Sequence, residues 1–290
     1  MLRRVDGSTG EYAPERCDAT PRLLGRGTAG LGLVEDAAHT DEVRGIREGR
    51  LAWLHSWELV TSMDGPGSRM TVFLNGCPLR CLYCHNPDTW QSRQGRLVGL
   101  DELVGRLRRY RKVFAATGGG LTVSGGEPMM QPAFVQNLLR AAKELGIHTA
   151  MDTSGALGRK VNRQIMSDLD LVLLDIKAGD EDRYRAVTGG ELAPTLEFGR
   201  RVAEAGKEIW VRFVVVPGLT DDVAQVELVA AHAASLSTVS RVEVLPFHQM
   251  GRDKWDSLGL DYRLAETSPP EPAVVERVRE QFRAHGLTTY

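Results

Sequence analysis

The sequence predicts an α/β protein: a partial, open (β/α)6 barrel whose parallel sheet carries helices on its outer face. Three observations lead there. From Gly49 onward, six short runs of β-branched and apolar residues alternate with stretches of helical periodicity. Such alternation implies βαβ units with right-handed crossovers, and hence a parallel sheet. The runs are almost continuously apolar, as strands under a layer of helices are. The polar residues that break the pattern fall at the ends of those runs, on the edge where α/β sheets build their sites. Six units are too few for a closed barrel of eight, and a doubly wound open sheet is the alternative.

Residues 1–48 are rich in Gly, Thr, Ala and charge and show little periodicity. They are expected to form a flexible, disordered extension ahead of a single domain over 49–290. The segment GRGTAG at 25–30 matches the dinucleotide-binding glycine pattern only formally, without a strand before it or a clean helix after it. Cys17 is expected to be a free thiol. DGPG at 64–67 is a turn signal ahead of the first strand, MTVFL (70–74). Further strands are expected at LTVS (121–124), HTAMD (148–152), LVLLD (171–175), IWVRFVVV (209–216) and VEVLPF (242–247). Helical patterns occupy 100–114, 132–145, 162–169, 195–205, 221–236 and 271–286, with Gly146, Gly206 and Gly286 placed to cap three of them.

Composition excludes several classes. A formal net charge of -2 offers no electrostatic case for nucleic acid or membrane partners. No apolar run is long enough to span a bilayer. The first residues contain arginines with no apolar segment behind them, and acidic residues among them, unlike a secretory signal or a mitochondrial transit peptide. Four cysteines, three of them clustered, do not read as a disulfide framework, and a reducing cytoplasm is the expected setting.

Those three lie in NGCPLRCLYCHNPDTW (75–90), as Cys77, Cys81 and Cys84. A structural zinc site needs four ligands, and His85 beside Cys84 is an awkward fourth. An iron–sulfur cluster accepts thiolates close in sequence because each binds a different iron. Three cysteines on a four-iron cluster leave one iron open, and this reading is favoured over zinc. In SGGEP (124–128), Gly125 and Gly126 would let backbone approach a ligand, and Glu127 offers an acceptor for an ammonium group. The same residues also read as an ordinary tight turn. Asp152 and Asp175 end neighbouring strands, where two carboxylates raise each other's pKa unless a cation lies between them. With Thr153 they make an oxygen-rich pocket; as plain helix caps they need no cation.

With Tyr83 before its last cysteine, C-x3-C-x2-C resembles the signature loop of the radical S-adenosylmethionine (SAM) superfamily. Seven segments together resemble the pyruvate formate-lyase activases within it: DGPG, NGCPLRCLYCHNPDTW, GGGLTVSGGEP, IHTAMDTSG, LVLLDIK, WVRFVVVPG and LPFHQMGRDKW. The resemblance runs from about Gly49 to the C-terminus. It implies one 4Fe–4S cluster on Cys77, Cys81 and Cys84, with SAM on the open iron. Reductive cleavage of SAM then gives a 5′-deoxyadenosyl radical that takes a glycine α-hydrogen from pyruvate formate-lyase. Another glycyl-radical enzyme or a small molecule is the alternative substrate. By resemblance, Gly126 and Glu127 face the methionine amine, while Asp175, Lys177 and His248 contact the cofactor. Tyr83, Cys84 and His85 help seat adenine, and Asp152, Thr153 and Asp175 hold a monovalent cation. Asp64 and Arg212 meet the glycine-bearing peptide, and flavodoxin is the implied electron donor. The sequence has no cysteine after Cys84, which separates it from activases with a ferredoxin-like insert.

Overall fold

A computed structural model describes residues 34–290, Ser62 excepted. The chain divides into two units, 1–41 and 42–290. Of the first unit, only the start of helix α1 (Val34–Arg47) falls among the described residues. The stretch set aside as a flexible extension is thus helical over its last part, and GRGTAG and Cys17 lie outside the described residues.

The second unit is built on one eight-stranded sheet. In chain order its strands are β1 (Leu51–Thr61), β2 (Arg69–Leu74), β3 (Arg96–Gly99), β4 (Gly120–Gly125), β5 (His148–Thr153), β6 (Leu171–Asp175), β7 (Glu208–Val215) and β8 (Val239–Pro246). Their spatial order is β3-β1-β2-β4-β5-β6-β7-β8. From β2 through β8 every pairing is parallel, and β1 runs antiparallel to both of its neighbours. No pairing joins β8 to β3, so the sheet stays open. The six expected strands are the parallel ones, and the two antiparallel strands at one edge are additional.

Strand β6 shows why these runs form a covered sheet. Val172 and Leu174 point to the helical layer, while Leu171 and Leu173 meet Ala150 and Trp210 on the concave face. All four leucine and valine side chains are buried. The outer layer includes α2 (Leu100–Thr117), α3 (Pro132–Glu144), α4 (Arg163–Asp168), α6 (Ala193–Glu204), α7 (Val223–Ala234) and α9 (Pro272–Ala284), while α5 (Glu181–Thr188) and α8 (Arg252–Ser257) pack beside the loop that carries the cysteines. Helix α3 starts with Pro132 and buries the stripe Phe134, Val135, Leu138, Leu139 and Ala142, at the spacing a helix face requires. Gly146, Gly206 and Gly286 take positive φ just beyond α3, α6 and α9, as their capping role demands.

Strand β1 escapes sequence detection for a local reason. Register shifts between Leu54 and Ser56 and between Leu59 and Thr61 move side chains out of strict alternation. Strand β3 has only four residues, and α5 and α8 are short and dense in charge.

Beneath the site lies a wholly buried arginine. Arg69 Nε donates to Thr122 Oγ1 at 2.6 Å, Nη1 to Pro66 O at 3.0 Å and Nη2 to Leu121 O at 2.6 Å. Thr122 Oγ1 donates in turn to Asp64 O at 2.6 Å. Burial pulls the Arg69 pKa down to about 10, and its hydrogen bonds hold the DGPG turn against β2 and β4.

Leu174 packs between the turn at Gly155 and Gly199 of α6. Leu174→Ala is expected to lower stability by about 2–5 kcal/mol through the cavity it leaves. Urea unfolding of the two proteins checks this, with the slope unchanged and the midpoint reduced.

Candidate active site

At the C-terminal ends of the parallel strands the sheet opens into a cavity of about 950 Å³. Because the six strands run together, their ends bring residues far apart in sequence to one rim. Every site residue expected from the sequence lines this cavity except Glu127: Asp64, Cys77, Cys81, Tyr83, Cys84, His85, Gly126, Asp152, Thr153, Asp175, Lys177, Arg212 and His248.

The cysteine loop leaves β2 at Leu74 and is pinned along its length. Gly76 N donates to Thr89 O at 2.7 Å and Cys77 N to Trp90 O at 3.2 Å, folding the loop on itself. Arg80 N and Leu82 N donate to Thr188 O and Val187 O at the end of α5. Trp255 Nε1 of α8 donates to Cys84 O at 2.9 Å, and its ring meets Trp90 edge-on at 5.1 Å. A loop fixed by backbone bonds at this density presents its thiols in a set arrangement.

Those thiols suit an iron–sulfur cluster. Burial, reinforced by the Cys81 thiol, pushes Cys77 up to about 12 and Cys84 up to about 11, and burial raises Cys81 as well. The Leu79 N–H at Cys77 and the Asn86 N–H at Cys84 act the other way, favouring thiolate. Such thiols give up their protons to a strongly bound metal and otherwise stay inert. The sequence spacing of Cys77, Cys81 and Cys84 fits a cluster, in which each cysteine takes its own iron.

Glu127 has partners within the chain that the sequence reading did not include. Its side chain is fully buried behind the cavity wall. Oε1 accepts from Thr153 Oγ1 at 2.7 Å and Met129 N at 3.3 Å. Oε2 accepts from Ser154 Oγ at 2.6 Å and Ser154 N at 3.1 Å. Both oxygens are thus committed to the chain itself, and the carboxylate joins the end of β4 to the end of β5. The glycines before it serve backbone packing as well as the cavity. A Cβ on Gly125 would stand 2.2 Å from Leu74 O, and one on Gly126 would stand 2.4 Å from Gly76 O. Glu127 N donates to that same Gly76 O at 2.7 Å. The GGE turn therefore clasps the cysteine loop.

Next along the rim stands a chain of alternating charge. Asp152 Oδ2 accepts from Ser124 Oγ at 2.8 Å and lies 3.2 Å from Arg212 Nη1. Arg212 Nε lies 3.4 Å from Glu243 Oε2, and Asp175 Oδ2 takes the Lys177 ammonium at 2.8 Å. Burial raises the Asp152 pKa, and Arg212 offsets part of that while Asp175 adds to it. Burial opposes the Lys177 charge, yet Asp175, Tyr83 and Cys81 together hold its pKa well above the ordinary value. Asp152 Oδ1 is buried and meets no donor. The Thr153 hydroxyl is engaged with Glu127 and with Gly155 N. His85 and His248 stand edge to face at 4.9 Å, and Asp64 Oδ2 accepts from Thr71 Oγ1 at 3.0 Å.

Sequence reasoning missed His55, Asp88 and Lys254. His55 Nε2 of β1 pairs with Asp88 Oδ2 at 2.9 Å, and Lys254 Nζ of α8 reaches Asp88 Oδ2 at 3.2 Å and Asn86 Oδ1 at 2.7 Å. This tie fastens the far end of the cysteine loop to elements on both sides of the opening. Nothing in the sequence links these positions, because β1 itself is obscured.

Residues 71–227 match the radical SAM superfamily. The chain is 41% identical over 238 residues to the pyruvate formate-lyase-activating enzyme of Staphylococcus epidermidis, covering 79% of this chain and 93% of that one. It belongs to this family. The pyruvate formate-lyase 1-activating enzyme of Escherichia coli K12 is 37% identical over 235 residues, 80% of this chain and 96% of that one. A crystal structure of a domain of pyruvate-formate lyase-activating enzyme from Bacteroides vulgatus aligns with a TM-score of 0.50 at 26% identity, over 60% of this chain and 98% of that one. Membership of the radical SAM superfamily implies a 4Fe–4S cluster and SAM, which the three thiols at this cavity fit.

Arg212→Met removes the cation beside a buried carboxylate and is expected to cost about 3–5 kcal/mol at neutral pH. Without the guanidinium the folded-state pKa of Asp152 rises further above that of the unfolded chain. The folded variant then binds a proton that the unfolded chain has released, so its deficit shrinks as pH falls through that window. Urea midpoints across a pH series check the slope, and a deficit independent of pH contradicts the pairing.

Proposed function

We propose that this chain activates pyruvate formate-lyase by installing a glycyl radical on it. The observation that carries the reading is the convergence of Cys77, Cys81 and Cys84 on a cavity rimmed by Asp152, Asp175, Lys177, Arg212 and His248. When bound, the 4Fe–4S cluster and SAM would supply the hard chemistry, reductive cleavage of a sulfonium C–S bond coupled to removal of a glycine α-hydrogen.

The chain's own groups bind, orient and exclude water. Cys77, Cys81 and Cys84 would hold the cluster with one iron left for SAM. The Lys177 ammonium, which donates to Asp175 and lies 5.7 Å from the centre of the Tyr83 ring, would meet the methionine carboxylate. Backbone at Gly126 would approach the methionine amine from the clasped turn. Tyr83, His85 and His248 would frame the adenosine, with the edge-to-face histidine pair as one wall. The orphaned Asp152 Oδ1 supports a monovalent cation beside Asp152, Thr153 and Asp175. Asp64 and Arg212 would meet the backbone of the glycine-bearing peptide, a guanidinium offering several donors to carbonyls. Flavodoxin is the proposed electron donor, and the cytoplasm the proposed setting.

Anaerobic mixing with SAM, reductant and pyruvate formate-lyase is expected to give a glycyl-radical EPR doublet on the partner. A protein that reconstitutes without iron, or one that cleaves SAM and never yields the doublet, overturns the proposal. In the same assay, Lys177→Met is expected to raise the KM for SAM about tenfold or more, as loss of a charged hydrogen bond predicts.

A further inference from the structure

We propose that Met63 and Met250 form a two-sided apolar grip on the partner polypeptide, holding apolar side chains that flank the target glycine. The inference rests on the function proposed above and assigns its partner a docking chemistry.

Among the large apolar side chains that stand exposed on the described residues, Met63 and Met250 are the most exposed, at 69% each. They are also the two members of that set that line the cavity. They come from opposite borders of the open sheet. Met63 follows β1 and adjoins the DGPG turn, and Met250 follows β8 in the loop leading to α8. In the sheet order, β1 and β8 are separated by all the other parallel strands, and β1 runs antiparallel to β2. Met63 therefore stands near the edge where the parallel strands begin and Met250 near the edge where they end, at opposite ends of the cavity they both line.

Each methionine is anchored next to a polar group of the site. Met63 precedes Asp64, which is held by Thr71 and by the Arg69–Thr122 bonds beneath it. The Met250 N–H donates to His248 Nδ1 at 3.4 Å, and the next residue, Gly251, packs so closely on His85 that a Cβ would stand 2.9 Å from His85 O. Polar groups that can meet peptide carbonyls and N–H groups thus line the same cavity as the two flexible thioethers. A polar lining with an exposed thioether toward each end complements a polypeptide, whose backbone is polar and whose side chains are not. A small substrate enclosed by the cavity would leave both methionines in water. An unbranched thioether adapts to more than one contour, which suits a grip on a loop.

The test uses the full chain with its cluster, SAM, reductant and pyruvate formate-lyase as the probe. Met63→Glu and Met250→Glu are each expected to raise the KM for pyruvate formate-lyase about tenfold or more, with little change in kcat. The double serine variant, Met63→Ser with Met250→Ser, is expected to shift KM in the same direction. Leu258→Glu, exposed on the same polypeptide segment but away from the cavity, serves as the control and is expected to leave KM unchanged. Unchanged KM in the glutamate and serine variants overturns the grip while the function stands. A KM that falls also overturns it, because the methionines are then covered by this chain or by a second copy of it. If the unaltered protein installs no radical on pyruvate formate-lyase, the functional reading fails first, and the grip with it.

Discussion

The arrangement of the site depends on one buried carboxylate. Glu127 is surrounded by four donors from two short segments: the Met129 N–H on one side, and the Thr153 hydroxyl with the Ser154 N–H and hydroxyl on the other. Burial pushes its pKa up, and those donors pull it back. A group so expensive to desolvate stays buried only where hydrogen bonds satisfy it. In satisfying it, the chain fixes the distance between the ends of β4 and β5. The same residue's backbone N–H reaches Gly76 O, and so carries the cysteine loop with it. The loop bearing the thiols and the strand ends bearing the charges are therefore set by a single contact region.

Around that region the electrostatics alternate. Carboxylates at Asp152, Asp175 and Glu243 are interleaved with Lys177 and Arg212 across four neighbouring parallel strands, β5 to β8. Neighbouring carboxylates alone would push each other toward protonation, and the interposed cations prevent it. The result is a rim that can exchange one ionic partner for another without a new charge being buried. That property suits a site that must accept a zwitterionic amino acid group and then a peptide backbone.

Much of this could be read from the sequence, and the failures have physical causes. The six parallel strands were legible because covered strands are continuously apolar. The cysteines were legible because their spacing has few other uses. Strand β1 was not, since its two register shifts erase the alternation that marks a strand. The partners of Glu127 within the chain were not legible: Thr153 and Ser154 reach it only once β5 lies beside β4. Gly125 and Gly126 were read as making room for a ligand; they line the cavity, and their missing side chains also let backbone of the chain itself approach, which the sequence did not reveal. Arg69 and the His55–Asp88–Lys254 tie had no sequence signal, because each joins residues that only the folded sheet brings together.

Glu127→Gln tests the central claim most directly, because that side chain does not line the cavity. Either orientation of the amide turns its –NH2 toward a backbone N–H, of Met129 or of Ser154, at a cost of about 1–3 kcal/mol. The measurement is the EPR spectrum of the reduced cluster, recorded with and without SAM. The clasp predicts that the spectrum without SAM already differs from that of the unaltered protein, and that the response to SAM is weakened. An unaltered spectrum without SAM, with only the response to SAM lost, would contradict it and return Glu127 to direct contact with the cofactor.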